Sequence, residues 1–360
     1  MQSIAGNYFY HICNISMKPK KRVTIYDIAE RLNITASSVS RALNNSNHVN
    51  EDTKKLVLKT AAELNYKRNV LASNLRMGKS HTIGVVVPRI NQNIFSNVIA
   101  GLEEVTNNKN YNLIICQSNE SVAKEIKCVN ALVNQHVDCI VISMSVETED
   151  VSHLKNVIDH GIQLIQFDRV ATELETLKVI NDNEQASMEA VEHLIEQGYK
   201  RIALLEGPQN LNIFKQRRDG YLKALKKYNI PVADELMMKN AWTKELGATA
   251  TRQLLSLPEP PDAIFASTSD FSALGVLDVA HDMNVQVPSQ LGICGYANEA
   301  FTELTNPSIT TVDQFSMHMG RTIANLYFDE LQNSEVAVTP KVISLKPELI
   351  VRSSTLRREK

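Results

Sequence analysis

The chain is 360 residues long, 43% hydrophobic and 22% charged, with a formal net charge of −2. That is an ordinary soluble composition with room for two or three domains, and no stretch approaches the roughly 20 apolar residues that span a bilayer. The five cysteines (Cys13, Cys116, Cys128, Cys139 and Cys294) show no C-x-x-C or metal-ligand spacing and read as buried free thiols.

Residues 1–17 begin with MQSIAGNYFYHICNIS, which has no charged residue and no feature of a fold, and are expected as a disordered tail or the product of an upstream start. The stretch lacks the basic n-region and uninterrupted apolar core of a secretory signal, so the chain is expected in the cytoplasm. Residues 18–66 read as a three-helix, all-α headpiece. The first helix runs from about Ile25 to Leu32, with Thr24 at its N-cap and Ile25, Ile28, Ala29 and Leu32 on one apolar stripe. Asn33 takes the turn, where a left-handed backbone is tolerated, and Thr35 caps a second helix to about Leu43. On that helix only Val39, Ala42 and Leu43 read as buried. Ala36, Ser37, Ser38, Ser40 and Arg41 form a small, hydrogen-bonding face with one long cation placed to reach a guanine edge, as a helix-turn-helix needs in a major groove. A third helix within Val49–Tyr66, capped near Asn50 and apolar at Leu56, Val57, Thr60, Ala61 and Leu64, closes the core. Charge supports the reading. Between Met17 and Thr82 thirteen Lys and Arg stand against five Asp and Glu, a net +8, which leaves −10 for the rest. A basic head on an acidic body is the footprint of a polyanion-binding module joined to something else.

TIYDIAERLNITASSVSRALNNSNHVNEDTKKLVLKTAAELNY resembles, almost position by position, the headpiece of the LacI family of bacterial transcription regulators, and the resemblance continues from Met17 to about Arg352. It implies that Ala36, Ser37 and Arg41 read bases, while Ser40, Asn44, His48, Asn50, Thr53 and Tyr66 hold phosphates or brace the headpiece. Within residues 67–80, Asn69 to Leu75 matches the family's hinge helix, in which Asn69 belongs, Ala72 packs on its twin and Leu75 enters the minor groove as an apolar wedge. Ser73 and Asn74 depart from the larger or charged residues that members often carry there.

Gly78–Ser80 (GKS) lacks the upstream glycine of a phosphate loop. Beyond it, across 81–352, the pattern becomes α/β: apolar strands alternate with helices in two doubly wound halves of periplasmic-binding-protein type. The first has strands at Thr82–Pro88, Leu113–Cys116, Cys139–Ser143 and Gln163–Phe167. The second has strands at Arg201–Leu205, Ala263–Ala266 and Gly292–Tyr296, completed by short strands near Thr311 and Ile343. The resemblance implies three lobe crossings, near Asp182, near Val312 and around Pro340. Residues 353–360 read as a C-terminal tail.

Loops from the carboxyl ends of both sheets should surround one ligand. Asp168 and Arg169 follow an apolar strand, Asp270 follows another, Arg217 lies in KQRRDGY, and Trp242 offers a face of the kind sugars stack against. The resemblance implies effector contacts at Asp168, Arg217, Trp242, Asp270 and Gln314, with Phe95 and Arg169 common among sugar-responsive members. No nucleophile elbow, metal spacing or acid/base pair suggests an enzyme, and no cofactor is implied. The expectation is a cytoplasmic homodimeric regulator, a repressor, that binds double-stranded operator DNA under control of a sugar or sugar derivative, with no membrane partner. The alternatives are control by a purine or a protein co-effector and, more weakly, a sugar-binding transport protein.

Overall fold

The computed structural model describes residues 23–44, 48–66, 79–332 and 340–357. The chain divides into two compact units, Met1–Met77 and Gly78–Lys360. In the first, α1 (Ile25–Leu32), α2 (Ala36–Leu43) and α3 (Glu51–Glu63) enclose Ile28, Ala29, Val39, Ala42, Val57 and Ala61. The Asp27 carboxylate accepts from both the N–H and the hydroxyl of Thr24 at 2.6 Å and so fixes the start of α1. Asn33 then takes the left-handed φ 50°, ψ 43° that the turn requires, a conformation a short polar side chain tolerates. Thr35 accepts from the Ser38 N–H at 3.2 Å and Asn50 from the Thr53 N–H at 2.7 Å, which caps α2 and α3.

One core expectation fails. Leu56 is 51% exposed, because the buried stripe of α3 is Lys54, Val57, Thr60 and Ala61, and one residue turns Leu56 about 100° from Val57. Lys54 buries its stem there and pairs its amine with Glu51 at 2.7 Å. The hinge expected at Asn69, Ala72 and Leu75 lies outside the described residues, as do residues 1–17.

The second unit holds two six-stranded sheets. In the first, β1 (Thr82–Val87), β2 (Asn112–Gln117), β3 (Cys139–Ile142), β4 (Gln163–Phe167), β5 (Leu177–Asn181) and β11 (Val342–Leu345) lie in the order β11-β5-β4-β3-β1-β2, all parallel. Helices α4 (Asn93–Asn108) and α12 (Ser316–Gln332) cover one face, and α5 (Val122–Asn134) and α6 (Ser152–Asp159) the other. The second sheet runs β12-β10-β9-β8-β6-β7, from β6 (Ile202–Leu205), β7 (Met237–Met238), β8 (Ala263–Ala266), β9 (Gly292–Tyr296), β10 (Thr310–Asp313) and an antiparallel edge β12 (Glu348–Ile350). It is sandwiched by α7 (Asn183–Glu196) with α8 (Asn212–Lys227), and by α9 (Lys244–Leu255) with α10 (Asp270–Asp282). A short α11 (Phe301–Leu304) follows β9. Strands covered on both faces must be apolar at nearly every position, and β3, β6, β8 and β9 are buried throughout.

Three details differ from the sequence reading. The strand around Ile343 is β11, which joins the first sheet beside β5 and not the second. The third crossing therefore lies at Lys346–Pro347, between β11 and β12, while Pro340 leads from α12 into β11 within the first lobe. Residues 353–357, expected in a tail, are built into the second lobe. Ser354 and Thr355 are fully buried, and the Ser354 hydroxyl donates to the Ile293 carbonyl at 2.5 Å.

Candidate functional site

On α2 the residues Ala36, Ser37, Ser40 and Arg41, with Asn44 one turn on, share one helical face, since their spacing repeats the 3.6-residue turn. Ser37, Arg41, Asn44, His48 and Asn50 are exposed, while Ala36, Ser40, Thr53 and Tyr66 are half-buried. Arg41 projects its guanidinium from a helix whose opposite side is packed on Val39 and Ala42, so the base-reading candidates sit on a rigid element. The others divide by what they touch. Asn44 donates to the Ser40 carbonyl at 2.8 Å, Asn50 spends its carbonyl on the α3 cap, and Tyr66 packs on the headpiece core.

In the second unit the lobes meet at the carboxyl ends of their strands. Asp168, directly after β4, is turned by a left-handed backbone (φ 55°) and is 2% exposed. Burial pushes its carboxyl above the usual carboxylate range, against the pull of Arg169 and Arg217. Arg169 donates Nη1 to both oxygens of Glu120, at 2.8 and 3.1 Å, and lies 5.6 Å over the Phe95 ring, which in turn meets Phe167 edge-on at 6.3 Å. Glu120 also accepts the Val146 N–H at 2.9 Å. Behind this loop Glu125 is fully buried and accepts from the Ser145 N–H, the Thr148 hydroxyl and His153 Nε2. Burial alone would raise that carboxyl, but the hydrogen bonds from His153, Ser145 and Thr148 together hold it below its ordinary value.

From the second lobe Arg217, one turn into α8 and 2% exposed, donates Nε to Asn183 Oδ1 (2.9 Å), Nη1 to the Ser267 carbonyl (2.8 Å) and Nη2 to Gln314 Oε1 (3.1 Å). Its guanidinium stacks 3.7 Å from the Tyr296 ring centroid, and the Tyr296 hydroxyl donates to the same Asn183 oxygen at 3.1 Å. Asp168, Arg217 and Gln314 are thus brought together. Asp270 is not free in the same way. Its Oδ1 accepts from the Thr311 hydroxyl at 2.6 Å and its Oδ2 from the Glu299 N–H at 2.8 Å, so the two oxygens brace the start of α10 against β10 and the loop after β9. Burial pushes Asp270 up to about 6, and burial aided by Asp270 pushes Glu299 up to about 7. Trp242 is half-buried in the loop before α9, its carbonyl accepting from the Ser269 hydroxyl at 3.3 Å.

The lobes are stapled across this junction. Asn210 Nδ2 donates to the Val146 carbonyl at 2.6 Å; Asn212 accepts the Val170 N–H at 3.1 Å and donates to the Asp168 carbonyl at 3.2 Å. Val146 also packs on Leu211, Ile213 and Phe214. The Asn93 N–H, from the first lobe, bonds the Glu299 carboxylate of the second. Sequence reasoning missed Glu120, Asn181, Asn183, Asn210, Asn212, Tyr296 and Glu299. Asn181 ends β5 and Asn183 begins α7, and with β5 itself hidden from the sequence neither stood out; the others carried no signal.

Among the described residues eleven buried side-chain atoms have no hydrogen-bond partner, and five of them (Asp168 Oδ1, Arg169 Nε, both carboxamide atoms of Asn181 and Ser143 Oγ) stand at the carboxyl ends of three adjacent strands, β3, β4 and β5. Buried polar atoms are normally paired, so a cluster of such atoms marks where a polar ligand fits.

A family described as "Bacterial regulatory proteins, lacI family" matches residues 24–69, and a "Periplasmic binding protein-like domain" matches residues 191–355. The chain is 32% identical over 345 residues to the HTH-type transcriptional repressor CytR of Escherichia coli (strain K12), covering 94% of this chain and 99% of that protein. It superposes with a TM-score of 0.82 and 25% identity on the lac repressor dimer bound to operator and the anti-inducer ONPF, covering 94% of this chain and 100% of that one. For a CelR transcriptional regulator in complex with cellobiose the TM-score is 0.70 at 26% identity, over 92% and 100% of the two chains.

Proposed function

Because the chain belongs to the lacI family of bacterial regulatory proteins, a family of DNA-binding repressors with an effector domain and not of enzymes, we propose that it is a repressor whose operator affinity is set by a hydroxyl-rich small molecule, a sugar first, held between the two lobes. The observation that carries the ligand reading is the unpartnered Asp168 Oδ1 beside an Arg217 fixed on three sides. A carboxylate takes two hydroxyl donors and a guanidinium donates to neighbouring hydroxyl oxygens, the pairing that vicinal diols satisfy. Sugars bind two of the family's similar structures by name, cellobiose in one and ribose in a regulator from Enterococcus faecium with bound ribose.

The chain acts in the cytoplasm as a homodimer. Ala36, Ser37 and Arg41 read bases; Ser40, Asn44, His48, Asn50, Thr53 and Tyr66 position the headpiece; and Asn69, Ala72 and Leu75 supply a hinge paired in the minor groove. A ligand across Asp168, Arg169 and Arg217, walled by Phe95, Trp242 and Gln314, with Asp270 bracing the second lobe, sets the angle between lobes and so the spacing of the hinges. A purine is the second reading, favoured by the Phe95–Phe167 ring pair beside Arg169. The test is a thermal-shift screen of the full chain against sugars, nucleosides and purine bases, repeated on Asp168→Ala. A sugar should raise the wild-type melting temperature and leave the folded variant unmoved; an equal shift in both places the ligand elsewhere.

A further inference from the structure

We infer that Glu120 sets the charge class of the ligand, and that the junction takes an uncharged polyhydroxyl compound, an unphosphorylated, non-acidic sugar or nucleoside, and rejects anions. This deepens the effector reading above and rests on it. Two guanidinium groups lie buried where the lobes meet, and a sugar phosphate or uronic acid would be expected to use one of them. Neither is available as a net positive charge. Arg169 is gripped by both oxygens of Glu120, at 2.8 and 3.1 Å, with that carboxylate 6% exposed and tied down by the Val146 N–H. Arg217 faces the Asp168 carboxylate. The Asp270 carboxyl accepts the Glu299 N–H at 2.8 Å. The Arg352 guanidinium, which acts on Asp270, is taken by Glu303, Asn298, Thr302 and the Ile309 carbonyl. Arg89, past the end of β1, is exposed and keeps its charge in water. A ligand anion buried here would join Glu120 and Asp168, each already set against one guanidinium, and a buried charge without its own counterion is strongly disfavoured.

The unpartnered atoms give the same answer independently. Asp168 Oδ1 and Asn181 Oδ1 accept only, Arg169 Nε and Asn181 Nδ2 donate only, and Ser143 Oγ does either. A hydroxyl both donates and accepts and can satisfy any of them. A phosphate or carboxylate accepts only, so where it replaces a hydroxyl against Asp168 Oδ1 or Asn181 Oδ1 it leaves that acceptor bare. Glu120 enters as the positioning residue: it neutralises Arg169, the guanidinium of this junction whose Nε has no partner among the described residues.

The experiment is calorimetric titration of the full chain with matched neutral and anionic pairs: ribose and ribose 5-phosphate, glucose and glucuronate, glucose 6-phosphate, cellobiose and cellobionate, adenosine and adenosine 5′-monophosphate. For whichever pair binds, the neutral member should bind at least about tenfold tighter. Glu120→Gln should narrow that gap by about tenfold through tighter binding of the anion, while Glu120→Asp should keep the preference. The wild-type comparison stands even where a variant does not fold. An anion that binds wild type within about threefold of its neutral partner, or tighter, overturns the charge assignment and leaves the cleft-ligand reading intact. A chain that binds no member of any pair overturns both.

Discussion

Asp270 and Glu299 hold their protons more tightly than free carboxyls because burial disfavours the charged form, and this has a sign that stability measurements can read. A raised acid contributes stability that is complete below its ordinary value, 3.8 for Asp270, and is lost as pH rises through about 6; for Glu299 the loss runs through about 7. Glu125, held low, loses its contribution only below its ordinary 4.5, so it is silent near neutrality. His193, whose proton affinity burial lowers, works the other way below 6.5, so the test is a difference between proteins. Between pH 8 and pH 4 the stability of wild type should rise relative to that of Asp270→Asn, by at most about 3 kcal/mol and mostly below pH 6; parallel pH profiles would return Asp270 to an ordinary ionised brace. At this scale the sequence exposed Asp168 and Arg169 because charged residues directly after an apolar strand stand out, while Arg217, inside α8, was reached through the family resemblance. It hid Glu120 and Tyr296, whose roles exist only once loops distant in the chain close on Arg169 and Arg217.

Helices rather than strands set how closely the layers of each lobe pack. Where α4 crosses α12, a Cβ built on Gly101 would lie 2.1 Å from the Met317 carbonyl oxygen, and one on Gly320 would lie 2.1 Å from that of Val98. The two glycines face each other's backbone, and the helices touch there without side chains between them. In an isolated helix Gly→Ala would stabilise by up to about 1 kcal/mol. Here Gly101→Ala must push α12 away, so it should lower stability by about 1–3 kcal/mol, read as a lower urea midpoint of the effector unit; a raised midpoint would show that the crossing is loose. Most strands were legible within two residues, since doubly covered strands must be continuous apolar runs; β5, β7 and β12 were not. Helix α12 was not anticipated, although its stripe of Met319, Ile323 and Tyr327 is there to be read. Strand β5 was hidden by Lys178, which crosses it as a buried amine donating to the Leu174 carbonyl at 2.5 Å. Which sheet the strand around Ile343 joins is decided by pairing, and its alternating exposure marks only an edge.

Across the whole chain, charge and architecture separate the same way: +8 lies in the stretch from Met17 to Thr82, and −10 beyond it. The basic unit supplies affinity for phosphates, and the acidic unit supplies the junction where two lobes, stapled through Asn210, Asn212 and Asn93, can be held at one angle or released. Whether closure strengthens or weakens DNA binding is a difference between two lobe arrangements, which residues at one junction do not encode. That a ligand there changes DNA affinity at all is the central claim. The most direct test selects an operator from random duplexes and titrates it with the full chain, with and without a saturating neutral ligand found by thermal shift. A coupling of about 1–3 kcal/mol predicts at least about a fivefold change in operator Kd, in either direction, lost in Asp168→Ala. An operator Kd that stays the same while the ligand demonstrably occupies the protein would contradict the account.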